Sequence, residues 1–171
     1  MGGAVGTISG VQELAAPSGV DGLAPAVDVI RFQDIQLTAA QVKALRATNI
    51  EVVGAPAAGW AAVPVGVHMF LNHGGTDFVQ TNGSDHLALL YNGGSEITEI
   101  GLEATLTTFL EASADAALDV TFGEATAVGG EVPAAATAID LDNNGAAEYT
   151  SGDGTLSIRV YYKLVPMFPF E

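Results

Sequence analysis

The residues best suited by type and spacing to do chemistry are the oxygen-bearing side chains between Asp140 and Glu148. Asp140, Asp142 and Asn144 occupy the first, third and fifth positions of a calcium-loop pattern, and a glycine follows at the sixth. Carboxylate and amide oxygens at this spacing are the ligands that such loops offer to calcium. The twelfth position, where the pattern places a bidentate acid, holds Ser151. The strongest ligand of a calcium loop is therefore missing.

Two interpretations of this segment remain open. One is a weak calcium site formed by Asp140, Asp142, Asn144 and Glu148. The other is a polar connection between strands, because an Asn-Asn-Gly sequence suits a tight turn. The sequence therefore predicts no required cofactor, with calcium as the one metal to consider.

The remaining candidates for chemistry do not form a recognisable catalytic pattern. The spacing of His68, His73 and His86 matches neither a zinc-protease nor a zinc-finger motif. The chain has no cysteine and no nucleophile-elbow pattern around a serine. Its glycine pairs lack the lysine or helix N-terminus of a phosphate-binding loop. Its many carboxylates produce accidental pairs, none of which stands out as a glycosidase site. The prediction is that the protein is not an enzyme.

Composition narrows the partners further. At 171 residues with 49% hydrophobic content, the chain is long enough for one domain with a sizeable core. Only 5 basic residues oppose 20 acidic ones, which gives a formal net charge of −15. Nucleic acids and anionic membranes are bound mainly through lysine and arginine, so neither is an expected partner. The acidity fits either a saline environment or a basic partner. No apolar run is long enough for a transmembrane helix.

Hydrophobic patterning predicts about eight short strands and one helix. The last strand alternates most clearly, with Leu156, Ile158 and Val160 on one face and Ser157 and Arg159 on the other. A capping-box pattern, with a threonine at 38 and a glutamine at 41, predicts a helix over 39–47. The predicted strands are 27–35, 50–53, 60–71, 87–91, 95–102, 116–121, 132–141 and 155–165. This order indicates an all-β fold, an antiparallel β-sandwich resembling a jelly roll with one short helix.

Outside this body the composition changes. Residues 1–26 are rich in glycine, alanine and proline, which predicts an extended N-terminal arm before a body over 27–165. Residues 166–171 form an apolar C-terminal tail in which two prolines oppose continuation of a sheet. We expect Met167, Phe168 and Phe170 of this tail to contact a partner or the body itself.

Several segments together resemble a known group of proteins. They are the Leu-Thr-Ala-Ala-Gln-Val-Lys-Ala-Leu-Arg-Ala-Thr segment at 37–48, the Ala-Pro-Ala-Ala-Gly turn, the strand over 65–71 with its glycine pair, and the Gly-Asp-Gly-Thr-Leu turn before the Arg-Val-Tyr-Tyr strand. Over about 35–165 the chain resembles small structural proteins of tailed bacteriophages, of the head decoration or cement type. The resemblance implies a β-sandwich body, many copies per particle and three-fold clustering on the shell.

On this basis we expect a capsid decoration protein on the outer surface of the virion, with the major capsid protein and further copies of itself, as a homotrimer, for partners. The runner-up is a tail- or vertex-associated domain that binds a receptor or glycans through its loops 72–84 and 142–154. A small acidic hydrolase or calcium-dependent enzyme is the third hypothesis, and the sequence offers no site for it.

Overall fold

The computed structural model describes residues 29–80, 86–92, 94, 96–100, 109–122, 135–144 and 148–167. They form an antiparallel β-sandwich with ten strands and one short helix in the described residues. The strands are β1 (Ile30–Leu37), β2 (Ile50–Val53), β3 (Trp60–Asn72), β4 (Phe78–Val79), β5 (Leu87–Tyr91), β6 (Glu96–Glu99), β7 (Ala116–Thr121), β8 (Ile139–Asn143), β9 (Thr150–Ser151) and β10 (Thr155–Pro166), and the helix is α1 (Ala39–Lys43). The all-β sandwich prediction is confirmed.

Two four-stranded sheets form the layers of the sandwich. Sheet A has the strand order β1-β10-β3-β7, and sheet B has the order β2-β8-β5-β6. A third, two-stranded sheet joins β4 to β9. All described pairings are antiparallel.

The core lies between the sheets and follows from the two-residue period of the strands. In β10, Leu156, Ile158 and Val160 are buried as predicted, and they pack with the alternate apolar residues of the other strands. The hydroxyl of Tyr91 in β5 donates a 2.8 Å hydrogen bond to the carbonyl of Ala62 in β3, so it links the two sheets. Burial of such aliphatic and aromatic side chains is the main stabilising term of the fold.

Helix α1 begins at the predicted capping box. The backbone N–H of Gln41 donates to the side chain of Thr38, and the backbone N–H of Thr38 donates to the side chain of Gln41. Val42 and Leu45 are fully buried, whereas Arg46 is exposed. The predicted helix over 39–47 is too long, because the helix ends at Lys43 and a turn follows. In the described part of the chain, no helix has the length and apolarity needed to cross a membrane.

Strand β3 contains an irregularity in its pairing with β10. Tyr161 pairs with Gly66 while Tyr162 pairs with Pro64, so Val65 is an extra residue opposite β10. A proline inside a central strand is tolerated at such a bulge because the regular hydrogen-bond ladder is already interrupted there.

Several strand boundaries differ from the prediction, and β1 and β8 each continue two residues beyond their predicted ends, to Leu37 and Asn143. Within the described part of 132–141, the strand begins only at Ile139, since Ala136 has a φ of 54° and its N–H donates to Trp60 in a turn. Within the described part of 95–102, β6 ends at Glu99, and Ile100 lies outside the strand. The last strand continues through Pro166, beyond the predicted body limit of 165. Among the described residues β1 reaches only to Lys163, so the missing N–H of Pro166 interrupts no pairing with β1. The predicted arm, 1–26, lies outside the described residues.

Candidate docking surface

The outer face of sheet A carries the most distinctive arrangement of side chains in the described residues. Because Leu156, Ile158 and Val160 point to the core, the residues between them on β10 point outward, and the register extends this alternation to the neighbouring strands. Three parallel rows of residues result, each crossing β1, β10, β3 and β7 in that order. They are the aromatic row Phe32–Tyr161–Gly66–Thr121, the charged row Asp34–Arg159–His68–Asp119 and the row Gln36–Ser157–Phe70–Ala117.

The charged row consists of two pairs. Arg159 donates to Asp34 through Nε and Nη2, each at 2.7 Å, and its guanidinium carbon lies 4.4 Å from the ring centre of Phe32. The hydrogen bonds that Arg159 donates to Asp34 are the main cause that raises the pKa of Arg159, so the arginine stays charged. Nδ1 of His68 lies 2.6 Å from Oδ1 of Asp119. Each carboxylate in this row therefore has a hydrogen-bond partner on the adjacent strand.

Apolar side chains flank the charged row on both sides. Three large hydrophobic side chains of the described residues are markedly exposed, and two belong to sheet A: Ile30 at 48% and Phe70 at 39%. Phe32 and Tyr161 are half-buried, with ring centres 6.5 Å apart. Exposed apolar groups gathered on one face are typical of an interaction site, whereas single ones are ordinary.

A groove opens at the end of this face where β1 begins. It has a volume of about 210 Å³, and its lining includes Ile30, Val65, Gly66, Thr121 and Tyr161. Gly66 forms the floor, since a Cβ there would lie 3.0 Å from the carbonyl oxygen of Val120. The groove thus results from the bulge at Val65 and from the glycine at 66, which has no side chain. Tyr161 lies on one side of the groove and Thr121 on the other.

The two sheets differ strongly in charge. The strands of sheet A carry three basic and two acidic residues, a formal charge of +1. The strands of sheet B carry no basic residue and five acidic ones, a formal charge of −5. These acids are Glu51, Glu96, Glu99, Asp140 and Asp142. Removing water from hydrogen-bonded charged groups costs less free energy than removing it from carboxylates that have no opposite charge nearby. Sheet A is therefore the face that a partner can cover more easily.

The four residues of the calcium candidate have separate polar partners. Asp140 accepts a 2.6 Å hydrogen bond from the Asn49 side chain, and the side-chain amide of Asn144 donates to Glu96 at 2.6 Å. Glu148 accepts the backbone N–H groups of 46 and 47 at 3.2 and 2.9 Å. Across the ranges that the structure describes, no group of three or more acidic, histidine or cysteine side chains is arranged to hold a metal ion.

Asp142, the remaining candidate, has a perturbed carboxyl. Burial raises the pKa of Asp142 above its ordinary value, and a backbone hydrogen bond from Asn143 and the charge of Arg46 partly oppose this effect. The charge of Glu148 adds to the increase in pKa. The cause is structural and requires no catalytic role.

Each histidine contacts a carboxylate. Besides the His68 pair, Nε2 of His73 lies 2.7 Å from Asp77, and Nε2 of His86 lies 3.1 Å from Glu96. His68 lies in β3, whereas His73 and His86 lie in loops beside β3 and β5, and each of the three has its own acidic neighbour.

The apolar tail is only partly within the described residues. Met167 is half-buried, and its backbone N–H donates to the carbonyl of Gly59 at 2.8 Å, so it adjoins the body. Phe168 and Phe170 lie outside the described residues. The interface role of these three residues stays a prediction. Sequence reasoning missed the sheet A face, because its rows combine residues up to 125 positions apart.

Comparison with known proteins gives one structural likeness to report. No protein-family model and no curated protein sequence matches the chain. Among solved structures, a chain of the capsid asymmetric unit of cyanophage Pam1 is similar, with 20% sequence identity and a TM-score of 0.41. The match covers 89% of this chain and 93% of that chain. At this identity and TM-score the likeness assigns neither a family nor a function.

Proposed function

We propose that this chain is a decoration or cement protein of a phage head, without enzymatic activity. It binds the outer surface of the shell, contacts the major capsid protein, and stabilises the shell by bridging its subunits. It acts as a homotrimer in this role. The motif resemblance described above supports the class of protein, and the arrangement of charge on the two sheets supports the mode of binding.

The observation that carries the proposal is the contrast between the two sheets. A shell-bound protein needs a face that can lose its water at low cost. Sheet A, with its hydrogen-bonded side-chain pairs and exposed Ile30 and Phe70, meets this need. Sheet B carries five acids and no base on its strands, and Leu90 and Asp140 on it are already buried within the chain, so it is the less favourable face for such a contact.

The overall charge favours the outside of the shell. The interior holds polyanionic DNA, and a chain with a formal charge of −15 gains nothing from phosphate contacts. Outside the shell, repulsion from the packaged DNA is screened over about 10 Å at ordinary ionic strength. The same charge keeps acidic surfaces of neighbouring copies apart, so close contacts between copies must use the less acidic face.

The test is the number of copies on the particle. Quantitative mass spectrometry of purified virions from the source should give this chain in a simple ratio to the major capsid protein, near one or one third. A few copies per particle would instead indicate a tail or vertex protein and support receptor or glycan binding. Absence from virions would overturn the proposal.

The second test is binding itself. Full-length protein added to heads that lack it should co-sediment with them and raise the temperature at which they release DNA. Serum albumin or another acidic protein of similar charge serves as the control for nonspecific association. Heads that bind no copies, or that bind them without any gain in stability, would contradict the cement role.

A further inference from the structure

We infer that the groove at the β1 end of sheet A binds the side chain of a lysine from a partner protein, with the ammonium group of that lysine on Asp119. The contact defines the chemistry that sheet A recognises. It rests on the proposed function only in that the shell is the source of the lysine, and the groove itself can be tested without the shell.

The groove combines apolar walls with one carboxylate. Val65, Gly66 and Tyr161 supply apolar surface, and among the described residues that line the groove Asp119 is the one charged residue. The side chain of Asp119 is 78% exposed, so a partner can reach it. A ligand with an aliphatic stem and a positively charged end matches both parts of this lining.

The size of the groove suits a lysine stem. Asp119 and Thr121 are successive outward positions on β7, and the groove lies between Thr121 and Tyr161 over Gly66. An apolar cavity of about 150 Å³ accommodates a benzene-sized group, so the groove, at about 210 Å³, has room for the four methylene groups of a lysine. The ring of Tyr161 adds a favourable surface for a cation.

The hydrogen bonding of Asp119 favours lysine over arginine. Oδ1 of Asp119 lies 2.6 Å from Nδ1 of His68, and within the part of the chain that the structure describes no residue donates to Oδ2. Arginine binds a carboxylate best through two parallel hydrogen bonds to both oxygens, whereas an ammonium group needs a single oxygen. Because one oxygen is already engaged, lysine is the better match.

The chain itself does not bring a base to this carboxylate. Its five lysine and arginine residues all lie in the described part, and none of them lines the groove. Arg159 is bound to Asp34, and Nζ of Lys43 donates to the carbonyl of Gly152 at 3.2 Å. The segments outside the described residues contain no lysine, arginine or histidine. A basic side chain at Asp119 therefore comes from another molecule, and the formal charge of −15 favours a partner with a basic surface.

Chemical modification of the shell tests the source of the lysine. Heads that lack this chain are acetylated, which removes the charge of their exposed lysines, or reductively methylated, which keeps that charge. Full-length protein is then added, and co-sedimentation over a range of concentrations gives the affinity. We expect binding to acetylated heads to be about tenfold weaker or less, and binding to methylated heads to equal that to untreated heads.

Variants of this chain link the effect to Asp119. Asp119→Asn should bind untreated heads about tenfold more weakly, and acetylation of the heads should then cause little further loss, because both changes remove the same contact. Glu51→Gln removes a carboxylate from sheet B and should behave as the natural chain on every kind of head. His68→Gln removes the intramolecular partner of Asp119 but keeps its carboxylate, so it should bind as well as the natural chain. Circular dichroism melts confirm that all variants are folded.

A titration without particles tests the groove alone. N-acetyl-lysine methylamide is added to isotope-labelled full-length protein, and the NMR signals of the groove are followed. We expect saturable shifts at Gly66, Asp119 and Thr121, with an affinity several-fold higher than for the Nε-acetylated compound, which has the same stem without the charge. N-acetyl-arginine methylamide should bind more weakly than the lysine compound.

The results separate this inference from the proposed function. Heads that bind no protein, together with a groove that prefers the charged lysine compound, would overturn the proposed function and support the groove as a lysine site. Heads that bind equally well after acetylation, or a groove that does not prefer the charged compound, would overturn the inference and leave shell binding intact. Equal losses for Asp119→Asn and His68→Gln would assign the effect to the pair within sheet A and count against the lysine. Dimers of the free protein that disappear in Asp119→Asn would assign the groove to a second copy of this chain and would also overturn the inference.

Discussion

The guanidinium of Arg159 donates two 2.7 Å hydrogen bonds to the carboxylate of Asp34 across β10 and β1. These side chains are 41% and 33% exposed, so the pair is partly screened by solvent. It nevertheless fixes the centre of the outer face of sheet A, because the same guanidinium covers the ring of Phe32. The pair is thus both a structural contact and part of the proposed docking surface.

Replacing the arginine by lysine tests the structural part. Arg159→Lys keeps the charge but loses the two-pronged hydrogen bond and the planar contact with Phe32. We expect a loss of roughly 0.5–1 kcal/mol in the free energy of unfolding, the size of a well-oriented but partly exposed pair. Chemical unfolding measures it, and Asp34→Asn completes a double-mutant cycle. A coupling energy of zero would show that the two residues act independently.

A second prediction concerns the turn between β9 and β10. Gly152 has a φ of +80°, and a Cβ at this position would overlap the buried ring of Phe78. Gly152→Ala should therefore lower the free energy of unfolding by about 2–4 kcal/mol, through backbone strain and overpacking together. Differential scanning calorimetry gives the change.

The chain contains a matched control for this substitution. Gly59 has nearly the same φ, +81°, but a Cβ there would meet nothing within 4 Å. Gly59→Ala should lower the free energy of unfolding only through backbone strain at this positive φ, by about 1 kcal/mol. Equal losses for the two variants would mean that the Phe78 contact contributes little.

These details show how much the sequence could predict. Alternation in β10 and the Thr38–Gln41 capping box depend on local patterns, and both are present. The helix was predicted too long because its end depends on distant residues. The N–H groups of Arg46 and Ala47 are bound by Glu148, about 100 residues later, in place of further helical turns.

The candidate surface shows the same limit more strongly. Asp34, Arg159 and His68 form one row only because β10 lies between β1 and β3 in a particular register. One residue of slip would turn the whole set into the core. Composition alone gives the net charge but not its division between the sheets. The sequence therefore predicted the sandwich and its acidity, and the docking face needed the structure.

Asp142 provides a prediction about pH. Its pKa in the folded protein is raised by burial, so the folded state binds the proton more tightly than the unfolded state. The stability from this group is full below its pKa in the unfolded chain, near 3.8, and is lost as the pH rises through the higher pKa of the folded state. Asp142→Asn should therefore stabilise the protein at pH values near neutrality and have little effect in strong acid.

The expected gain is roughly a few tenths of a kcal/mol, because the carboxyl is only partly buried and solvent screens it. Urea unfolding of the variant and the natural chain at neutral and acidic pH measures the difference. Glu51→Gln, at an exposed position of β2, controls for the general effect of removing one negative charge. A destabilised Asp142→Asn variant at neutral pH would contradict the assigned direction.

The candidate calcium site at Asp140, Asp142, Asn144 and Glu148 can be tested by thermal unfolding in the presence of metal ions. Because Asn144 and Glu148 are held by Glu96 and by backbone N–H groups, we expect calcium to raise the melting temperature no more than magnesium does at equal concentration. Both ions should give a small, similar increase by screening the charge of −15. A calcium-specific increase that disappears in Asp140→Asn would restore the site.

The docking face itself is tested by placing a charge at its apolar side. Phe70→Glu removes an exposed ring and puts a carboxylate where the shell would exclude water. The lost burial and the unpaired charge should weaken binding to heads by about tenfold or more, since 1.4 kcal/mol corresponds to a factor of ten. Val79→Glu adds the same charge at a site of similar exposure away from sheet A, and it should bind normally. Co-sedimentation over a range of protein concentrations compares the two.

If both variants bind heads equally weakly, the cause is net charge and the face is not specific. If only Val79→Glu binds more weakly, the shell contacts the β4–β9 end of the molecule, and sheet A faces solvent.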